Sequence, residues 1–146
     1  MAAGNDNQDC SNSSPARVNE AITVAASNIQ DCRAPFSNYG LPVDIFAAGY
    51  NVTSTWNDGL TKVLSGTSMA TPHVAGVAAL LLASSPGIAP AQIALDVNVK
   101  ALTGVITDVG EFFCSMLCMF DLRTLKLTPF VGPHTVNRLL HYVPQA

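Results

Sequence analysis

Two short runs of small and apolar residues stand between polar segments in the first third of the chain. Residues 21–27 are AITVAAS and residues 43–49 are VDIFAAG. Both runs are too short for a helix, and a short apolar run between polar segments is typical of a strand buried in a parallel sheet. Further along, two extended pieces flank Asn57-Asp58-Gly59, which predicts a hairpin.

The pattern changes at Thr67. From Thr67 to about Ser84 apolar residues fall on every helical face, which predicts a wholly buried helix. Pro72 is expected to be tolerated there because the first four N–H groups of a helix have no intrahelical partner. Gly76 costs about 1 kcal/mol relative to alanine, which indicates close backbone packing. A shorter amphipathic helix is predicted over residues 90–104, ending at Gly104.

Length and composition favour a single globular unit that is interior-rich. A chain of 146 residues has the size of a single domain. Its charged fraction is 12%, against about 25% in ordinary soluble domains, which indicates part of something larger. The net charge of −3 includes no basic cluster, so no nucleic-acid partner is expected. The longest apolar run, residues 74–83, is shorter than the roughly 20 residues of a bilayer span, so no membrane partner is expected either.

Cysteines and asparagines add two open questions. Cys10, Cys32, Cys114 and Cys118 allow three disulfide pairings, and the last two lack a second ligand pair at zinc-site spacing. Asn12-Ser-Ser and Asn51-Val-Thr fit the acceptor pattern for N-glycosylation, which has meaning only in the secretory pathway. The N-terminus shows no signal-peptide pattern.

Ser68 is the candidate for chemistry. A serine nucleophile needs a sharp turn that exposes its oxygen and N–H donors for the oxygen that becomes negative. Gly66 and the helix start meet those needs, and the side-chain amide of Asn5 is a candidate second donor. The alternative is that Thr67 or Ser68 merely caps the helix while Asn5 stabilises a turn.

The segment SGTSMATPHVAG, residues 65–76, resembles the nucleophile motif of subtilisin-like serine peptidases, most closely the proteinase K-like fungal branch. Residues 2–6, 14–27 and 36–49 resemble that family in order and spacing. The resemblance implies an endopeptidase, secreted, acting on a peptide or protein substrate and requiring no cofactor. It also implies roles for individual residues: Ser68 as nucleophile, Asn5 as oxyanion donor beside the Ser68 N–H, Ala2, Ala3 and Gly4 lining one side of the specificity pocket, and Asp44 at a structural calcium.

The aspartate and histidine motifs that precede the serine in this family are missing from the sequence. His73 lies inside the predicted helix, where the family has a structural histidine, and His134 and His141 follow the serine. The fold class expected is therefore α/β, the incomplete C-terminal part of a subtilisin-like parallel-sheet fold with an irregular tail. We expect the isolated chain to be inactive and to aggregate or stay partly molten, with exposed edges at strands 21–27 and 43–49.

Three further alternatives remain open at this stage. The chain could be a non-enzymatic remnant that folds only against another chain. Gly66-Thr-Ser68-Met-Ala70 also approximates the nucleophile elbow of α/β-hydrolase esterases, with Asp96 or Asp108 and His141 completing that triad.

Finally, residues 110–131 interrupt the family match between segments 1–109 and 132–146. We interpret them as a translated intron, since GGTGAG encodes Gly110-Glu111, or as a family-specific loop.

Overall fold

A computed structural model describes residues 1–108 and 138–140 of the chain. The predicted insertion, residues 110–131, and most of the closing segment 132–146 lie outside these ranges. A single 3-10 turn, Cys10–Asn12, precedes the first strand. The strands are β1 Val24–Ser27, β2 Ile45–Ala48, β3 Val52–Thr55, β4 Thr61–Leu64, β5 Leu102–Thr103 and β6 Arg138–Leu139, and the helices are α1 Thr67–Ser84 and α2 Pro90–Val99.

The central sheet has the strand order β1-β2-β6-β5. β1 and β2 run parallel, with Val24 opposite Ile45 and Ser27 opposite Ala48. β6 is parallel to β2, and β5 is antiparallel to β6. The two apolar runs therefore form neighbouring parallel strands, which confirms the sequence prediction.

The predicted exposed edge does not occur at these two strands. Ala2 forms a parallel bridge with Val24 on the outer side of β1. The Ala34 N–H donates to the Ala26 carbonyl at 2.8 Å, so the segment after β1 folds back over the same edge. β2 lies between β1 and β6. The prediction was wrong because the N-terminal residues and the segment after β1 together pair with the edge that a missing strand was expected to leave open.

Both faces of the sheet are covered by apolar side chains. Val24 and Ala26 of β1 pack into a cluster with Ala70, Val74 and Leu81 of α1. On the opposite face, Ala25 and Phe46 pack with other residues of a second cluster, namely Ala3, Cys10, Ala16, Val43 and Ile106. Burial on both faces explains why β1 and β2 have no polar alternation.

β3 and β4 form the predicted antiparallel hairpin, with Thr55 opposite Thr61. The turn is closed by the Trp56 N–H donating to the Leu60 carbonyl at 2.8 Å. Lys62 places its ammonium 4.4 Å from the centre of the Trp56 ring. Leu60 and Val63 are exposed, so the hairpin extends outward from the sheet.

α1 has the predicted extent, but it is not wholly buried. Its buried residues are Thr67, Ala70, Val74 and Leu81, which lie on the side that packs against β1 and β2. Leu80 and Leu82 are about half exposed, at 49% and 48%. The described residues cover one side of an all-apolar helix, so the remaining faces stay open.

Two residues inside α1 also differ from expectation. Pro72 is the sixth helical residue, beyond the first four, so it removes one intrahelical hydrogen bond. A Cβ on Gly76 would meet no described atom within 4 Å. The close backbone packing predicted for Gly76 is therefore absent among the described residues.

By length and composition alone, α1 is apolar enough to cross a membrane, although no membrane span was expected. This is weak support for a membrane span, because the core helix of a soluble protein passes the same test. α1 packs against β1, β2 and α2, as a core helix does.

α2 is shorter than the predicted 90–104 helix. It ends at Val99, and Leu102–Thr103 instead pairs with β6. Gly104 has a positive φ of 73°, so it marks the turn after β5 rather than the end of the helix.

Candidate active site

Ser68 is the second residue of α1, and it is exposed. Gly66, the N-cap, has φ 158° and ψ 158°, a conformation that is essentially restricted to glycine. The N-cap residue is Gly66 itself, so Thr67 and Ser68 lie inside the helix and neither of them is the N-cap. The capping alternative is therefore wrong for both residues, and the sharp turn expected of a nucleophile is present.

Asn5 is fixed against the start of α1 by its carbonyl oxygen. Oδ1 accepts hydrogen bonds from the Thr67 backbone N–H and from the Thr67 hydroxyl, both at 2.9 Å. Asn5 thus satisfies one of the helix's orphan donors across a long stretch of sequence. Because both bonds go to Oδ1, the orientation of the amide is set and its nitrogen is left for another acceptor.

Asn5 Nδ2 and the Ser68 backbone nitrogen border the same space beside Gly66. A Cβ built on Gly66 would lie 3.6 Å from Asn5 Nδ2 and 3.7 Å from the Ser68 nitrogen. The Ser68 N–H belongs to the first helical turn, whose N–H groups have no intrahelical acceptor. The structure therefore brings together the two donors that the sequence assigned to an oxyanion.

The N-terminal end of α1 adds a favourable electric field. An 18-residue helix places partial positive charge at its first turn, and this turn contains no acidic residue. Negative charge that develops next to Ser68 is stabilised by that end of the helix dipole. The geometry can thus bind an anionic oxygen beside an exposed hydroxyl.

Asn38 holds the loop that carries Asn5, a role that no sequence pattern predicts. The fully buried Asn38 side chain accepts from the N–H groups of Asp6 and Gln8, at 3.0 and 3.2 Å. It donates to the Ala3 carbonyl at 2.9 Å. Gly4 has a φ of 105°, and a Cβ there would overlap the Asn38 amide nitrogen. Residues on both sides of Asn5 are therefore tied to one side chain.

A buried arginine, Arg33, also bonds to the loop that carries Asn5. Arg33 donates from one guanidinium nitrogen to Asn7 Oδ1 at 2.8 Å and from Nε to the Asp108 carbonyl at 3.0 Å. A second guanidinium nitrogen lies 3.8 Å from the Asp108 carboxylate. Its guanidinium carbon lies 5.1 Å from the centre of the Tyr39 ring.

The three residues expected at the specificity pocket differ in exposure. Ala2 and Gly4 are half-buried, whereas Ala3 is fully buried in the second core cluster. Gly4 also donates its N–H to the Thr67 hydroxyl at 3.2 Å, which places it beside the nucleophile turn. Ala3 can therefore contribute shape only through the backbone, and the pocket role of all three stays a prediction.

His73 occupies a structural position in the helix. It is exposed, and its Nδ1 contacts the Met69 carbonyl at 2.9 Å, one turn back along α1. His134 and His141 lie outside the described residues. The acids of the esterase alternative are engaged elsewhere: Asp96 accepts from the Gln92 amide at 2.7 Å, and Asp108 pairs with Arg33.

Asp44 lies at the start of β2, half-buried, and its Oδ2 accepts the Thr23 N–H at 2.7 Å. Burial raises the pKa of this carboxyl, and the Thr23 bond and the charges of Arg138 and the N-terminus partly oppose that rise. No cluster of three His, Cys, Asp or Glu residues occurs in ranges 1–108 and 138–140. Calcium takes six to eight oxygens, so a site here would depend mainly on backbone carbonyls and would compete with two nearby cations.

Cys10 forms no disulfide within residues 1–108 and 138–140 and is buried in the second core cluster. Burial, with the charges of Asp9 and Asp44, raises its pKa to about 11. A thiol of that kind is a weak nucleophile near neutral pH, because the thiolate is the reactive form. Cys10 is therefore not a candidate nucleophile near neutral pH.

Comparison with known proteins gives a consistent result. The subtilase family, Peptidase S8, matches residues 1–108. A cuticle-degrading protease of Metarhizium anisopliae is 52% identical over 109 residues, covering 75% of this chain and 28% of that protein. A subtilisin-like serine protease of Rhodotorula mucilaginosa is 47% identical over 145 residues, covering 90% of this chain and 42% of that protein.

Solved structures agree with the sequence relatives. A cold-adapted subtilisin-like serine proteinase superposes with a TM-score of 0.80 and 40% identity, covering 99% of this chain and 44% of that one. Proteases from Pseudoalteromonas arctica superpose with a TM-score of 0.66 and 35% identity, covering 75% of this chain and 38% of theirs. This chain thus spans less than half the length of each of these relatives. The family match and the structural superpositions argue against the α/β-hydrolase alternative and confirm the subtilisin-like fold.

Proposed function

This chain belongs to the subtilase family, and from that premise we propose that it is the nucleophile-bearing, C-terminal part of a proteinase K-like serine endopeptidase. The proposal rests chiefly on one observation. Asn5 Nδ2 and the Ser68 nitrogen border the same space beside Gly66, next to an exposed serine at the start of a helix. That arrangement suits acyl transfer, in which a carbonyl oxygen becomes negative as the serine attacks.

In the proposed reaction the Ser68 hydroxyl attacks the carbonyl carbon of a peptide bond. The carbonyl oxygen becomes negative and accepts hydrogen bonds from Asn5 Nδ2 and the Ser68 N–H. Collapse expels the amine and leaves an ester on Ser68, which water then hydrolyses. Thr67 contributes indirectly, because its N–H and hydroxyl hold the Asn5 carbonyl oxygen and thereby orient the amide.

The proton of Ser68 has no acceptor of the required kind among the described residues. His73 is the histidine within residues 1–108, and its Nδ1 is bonded to the Met69 carbonyl. A serine without a base is a weak nucleophile. We therefore propose that this chain alone is inactive and that catalysis requires the aspartate and histidine of a longer subtilase chain.

A chimera tests the proposal. The whole chain would replace the matching 42% of the Rhodotorula mucilaginosa protease, so that the relative's upstream segment supplies the rest of the fold. We expect this chimera to hydrolyse a chromogenic peptide amide and the isolated chain not to do so. Ser68→Ala should abolish hydrolysis, whereas Ser85→Ala, an exposed serine at the other end of α1, should leave it unchanged.

Asn5→Ala gives a graded readout in the same chimera. For subtilisin, a member of this family, loss of the corresponding donor is known to lower kcat by about 10²–10³-fold, and we expect a loss of that order. A folded chimera that cleaves equally well with Ser68→Ala would refute the assignment. A second chimera without residues 110–131 would separate failure of that segment from failure of the site.

A non-enzymatic, partner-dependent remnant is the second candidate. It is favoured by the face of α1 that the described residues leave uncovered, where Leu80 and Leu82 are about half exposed and a Cβ on Gly76 would meet none of their atoms. Such a remnant would leave the chimera folded but inactive. Either reading predicts that the isolated chain aggregates or unfolds without a sharp transition, and a cooperative thermal transition from a soluble monomer would overturn that expectation.

Secretion and calcium binding are further proposals. Relatives include an extracellular serine proteinase of a Thermus strain, which supports an extracellular location. Structural calcium at Asp44 has weaker support, and no step of the chemistry depends on it. A calcium titration that leaves the melting temperature of the chimera unchanged would remove that proposal.

A further inference from the structure

The turn between β2 and β3 carries a sequon that the proposed catalytic role does not explain. Asn51 is an exposed residue with a positive φ of 54°, and Thr53 of the same Asn-Val-Thr triplet is also exposed. Asparagine is among the residues that tolerate this backbone conformation. Asn51, which would carry the glycan, and Thr53, the hydroxyl residue of the sequon, therefore both lie on the protein surface at the base of the β3–β4 hairpin.

The hydrogen bonds between Asn51 and Ser65 do not involve the side-chain amide nitrogen of Asn51. The Ser65 hydroxyl accepts the Asn51 backbone N–H at 2.8 Å and donates to Asn51 Oδ1 at 3.3 Å. Both bonds use atoms other than Nδ2, which is the atom that forms an N-glycosidic bond. Ser65 thus fixes the backbone and the carbonyl oxygen of Asn51 without involving its amide nitrogen.

There is also room for a bulky group at this position. Thr53 lies opposite Val63 in the hairpin, and Val63 is 54% exposed. β3 and β4 pair with each other in a separate two-stranded sheet within the described part of the chain. A sugar attached at the base of this hairpin would extend into solvent and displace no core residue.

The second sequon, at Asn12, has a more constrained setting. Asn12 lies in the 3-10 turn. Ser13, the middle residue of the sequon, accepts a hydrogen bond from the buried Asn38 at 3.2 Å. The Ser13 N–H also donates to the Cys10 carbonyl at 2.9 Å. The triplet at Asn12 is thus tied into the network that holds the Asn5 loop, whereas the triplet at Asn51 lies on an outer hairpin.

We propose that Asn51 is an N-glycosylation site and that it is modified in preference to Asn12. In the transfer, the amide nitrogen of Asn51 attacks the anomeric carbon of an oligosaccharide carried on a polyprenyl diphosphate. The bond from that carbon to the diphosphate breaks, the nitrogen loses one proton and the polyprenyl diphosphate leaves. This inference rests on the proposed secretion, and it is independent of whether Ser68 is catalytic.

The test is secretory expression of the full chain in yeast behind a cleavable leader that carries its own glycosylation sequon as a reporter. We expect a gel shift on treatment with an amidase that removes N-glycans, and peptide mass spectrometry should find aspartate in place of Asn51 after that treatment. The shift of the mature chain should be lost with Asn51→Gln and with Thr53→Ala. It should be retained with Thr53→Ser, which keeps the sequon, and with Asn12→Gln.

Two outcomes would overturn the proposal. One is an unmodified Asn51 in a chain whose leader reporter is glycosylated, since the reporter proves entry into the secretory pathway. The other is a shift that disappears with Asn12→Gln and persists with Asn51→Gln. Repeating the experiment in a Ser68→Ala background separates the modification from any peptidase activity, because that variant should be glycosylated to the same extent.

Discussion

Replacing Asn38 by alanine removes the four hydrogen bonds that its side chain makes around the Asn5 loop, while the bond from Arg33 to Asn7 remains. Asn38 is fully buried and bonds to the Asp6 and Gln8 N–H groups, the Ala3 carbonyl and the Ser13 hydroxyl. In Asn38→Ala the loop keeps its sequence but loses the side chain that joins its two ends. Asn5 lies between the bonded positions, so the placement of its amide relative to Ser68 then depends on its two bonds from Thr67 and on a looser loop backbone.

The expected cost follows from what each partner loses. An intramolecular hydrogen bond contributes about 0.5–1.5 kcal/mol net, and a buried group left without a partner costs about 1–3 kcal/mol. Asp6 and Gln8 are exposed residues, so water can replace the lost acceptor for their N–H groups. Ala3 is fully buried, so its carbonyl has less access to water. Together these losses predict a local destabilisation of about 3–5 kcal/mol.

Amide hydrogen exchange in the chimera measures this directly. Exchange across residues 3–8 should become faster in Asn38→Ala by about 10²-fold or more, since each 1.4 kcal/mol corresponds to roughly tenfold. Asn28→Ala is the matched control: Asn28 Oδ1 accepts from the Gln30 and Cys32 N–H groups, and its loss should affect only that turn. Equal exchange at residues 3–8 in the two variants would refute the positioning role of Asn38.

Three further outcomes are expected in the same chimera. Gly66→Ala should lower kcat more than it changes KM, because it costs about 1–3 kcal/mol of backbone strain and fills the space beside the two proposed oxyanion donors. Gly76→Ala, which meets open space among the described residues, should instead be neutral or stabilising by up to about 1 kcal/mol. Similar kinetics in the two variants would contradict the assignment. Burial raises the pKa of Asp44 in the folded state above its unfolded value, so its ionisation lowers the stability of the wild type as the pH rises between those two values. Asp44→Asn removes this loss, so it should raise stability at neutral pH relative to acid pH. Urea unfolding at both pH values checks this, and a variant with the pH dependence of the wild type would argue against a buried charge. Cys10 should react with iodoacetamide only slowly at pH 8 and much faster as the pH approaches its pKa of about 11; rapid alkylation of the folded protein at pH 8 would show that the thiol is not buried.

Local patterns in the sequence predicted most of the elements. β1, β2, the hairpin and the limits of α1 follow from short-range features, namely apolar runs, the Asp58-Gly59 turn and the change of periodicity at Thr67. The prediction that α1 is wholly buried was wrong. Apolar residues on every face show which surfaces of the helix favour burial, but the described residues cover only one side of it. The end of α2 was missed because Leu102–Thr103 pairs with β6, a contact between distant segments.

The site was predicted unevenly for a similar reason. Ser68 and Gly66 are neighbours in sequence, so their chemistry could be inferred locally, whereas the approach of Asn5 followed from a family resemblance. Asn38 was not recognised as a site residue, because a polar residue in a loop segment carries no sign that it will be fully buried. Periodicity describes single elements, and it contains no information on which loops a buried amide will join.

The bond between Asn5 Oδ1 and the first N–H of α1 gives one side chain two duties. A subtilase lineage that abandons proteolysis still needs that helix to begin at Thr67, and losing Asn5 would leave an orphan donor at the helix start. The start of the helix alone is thus a reason for a chain to keep the residue that we propose as an oxyanion donor. An asparagine at this position therefore serves the start of the helix as well as any chemistry, and its presence alone does not indicate enzymatic activity.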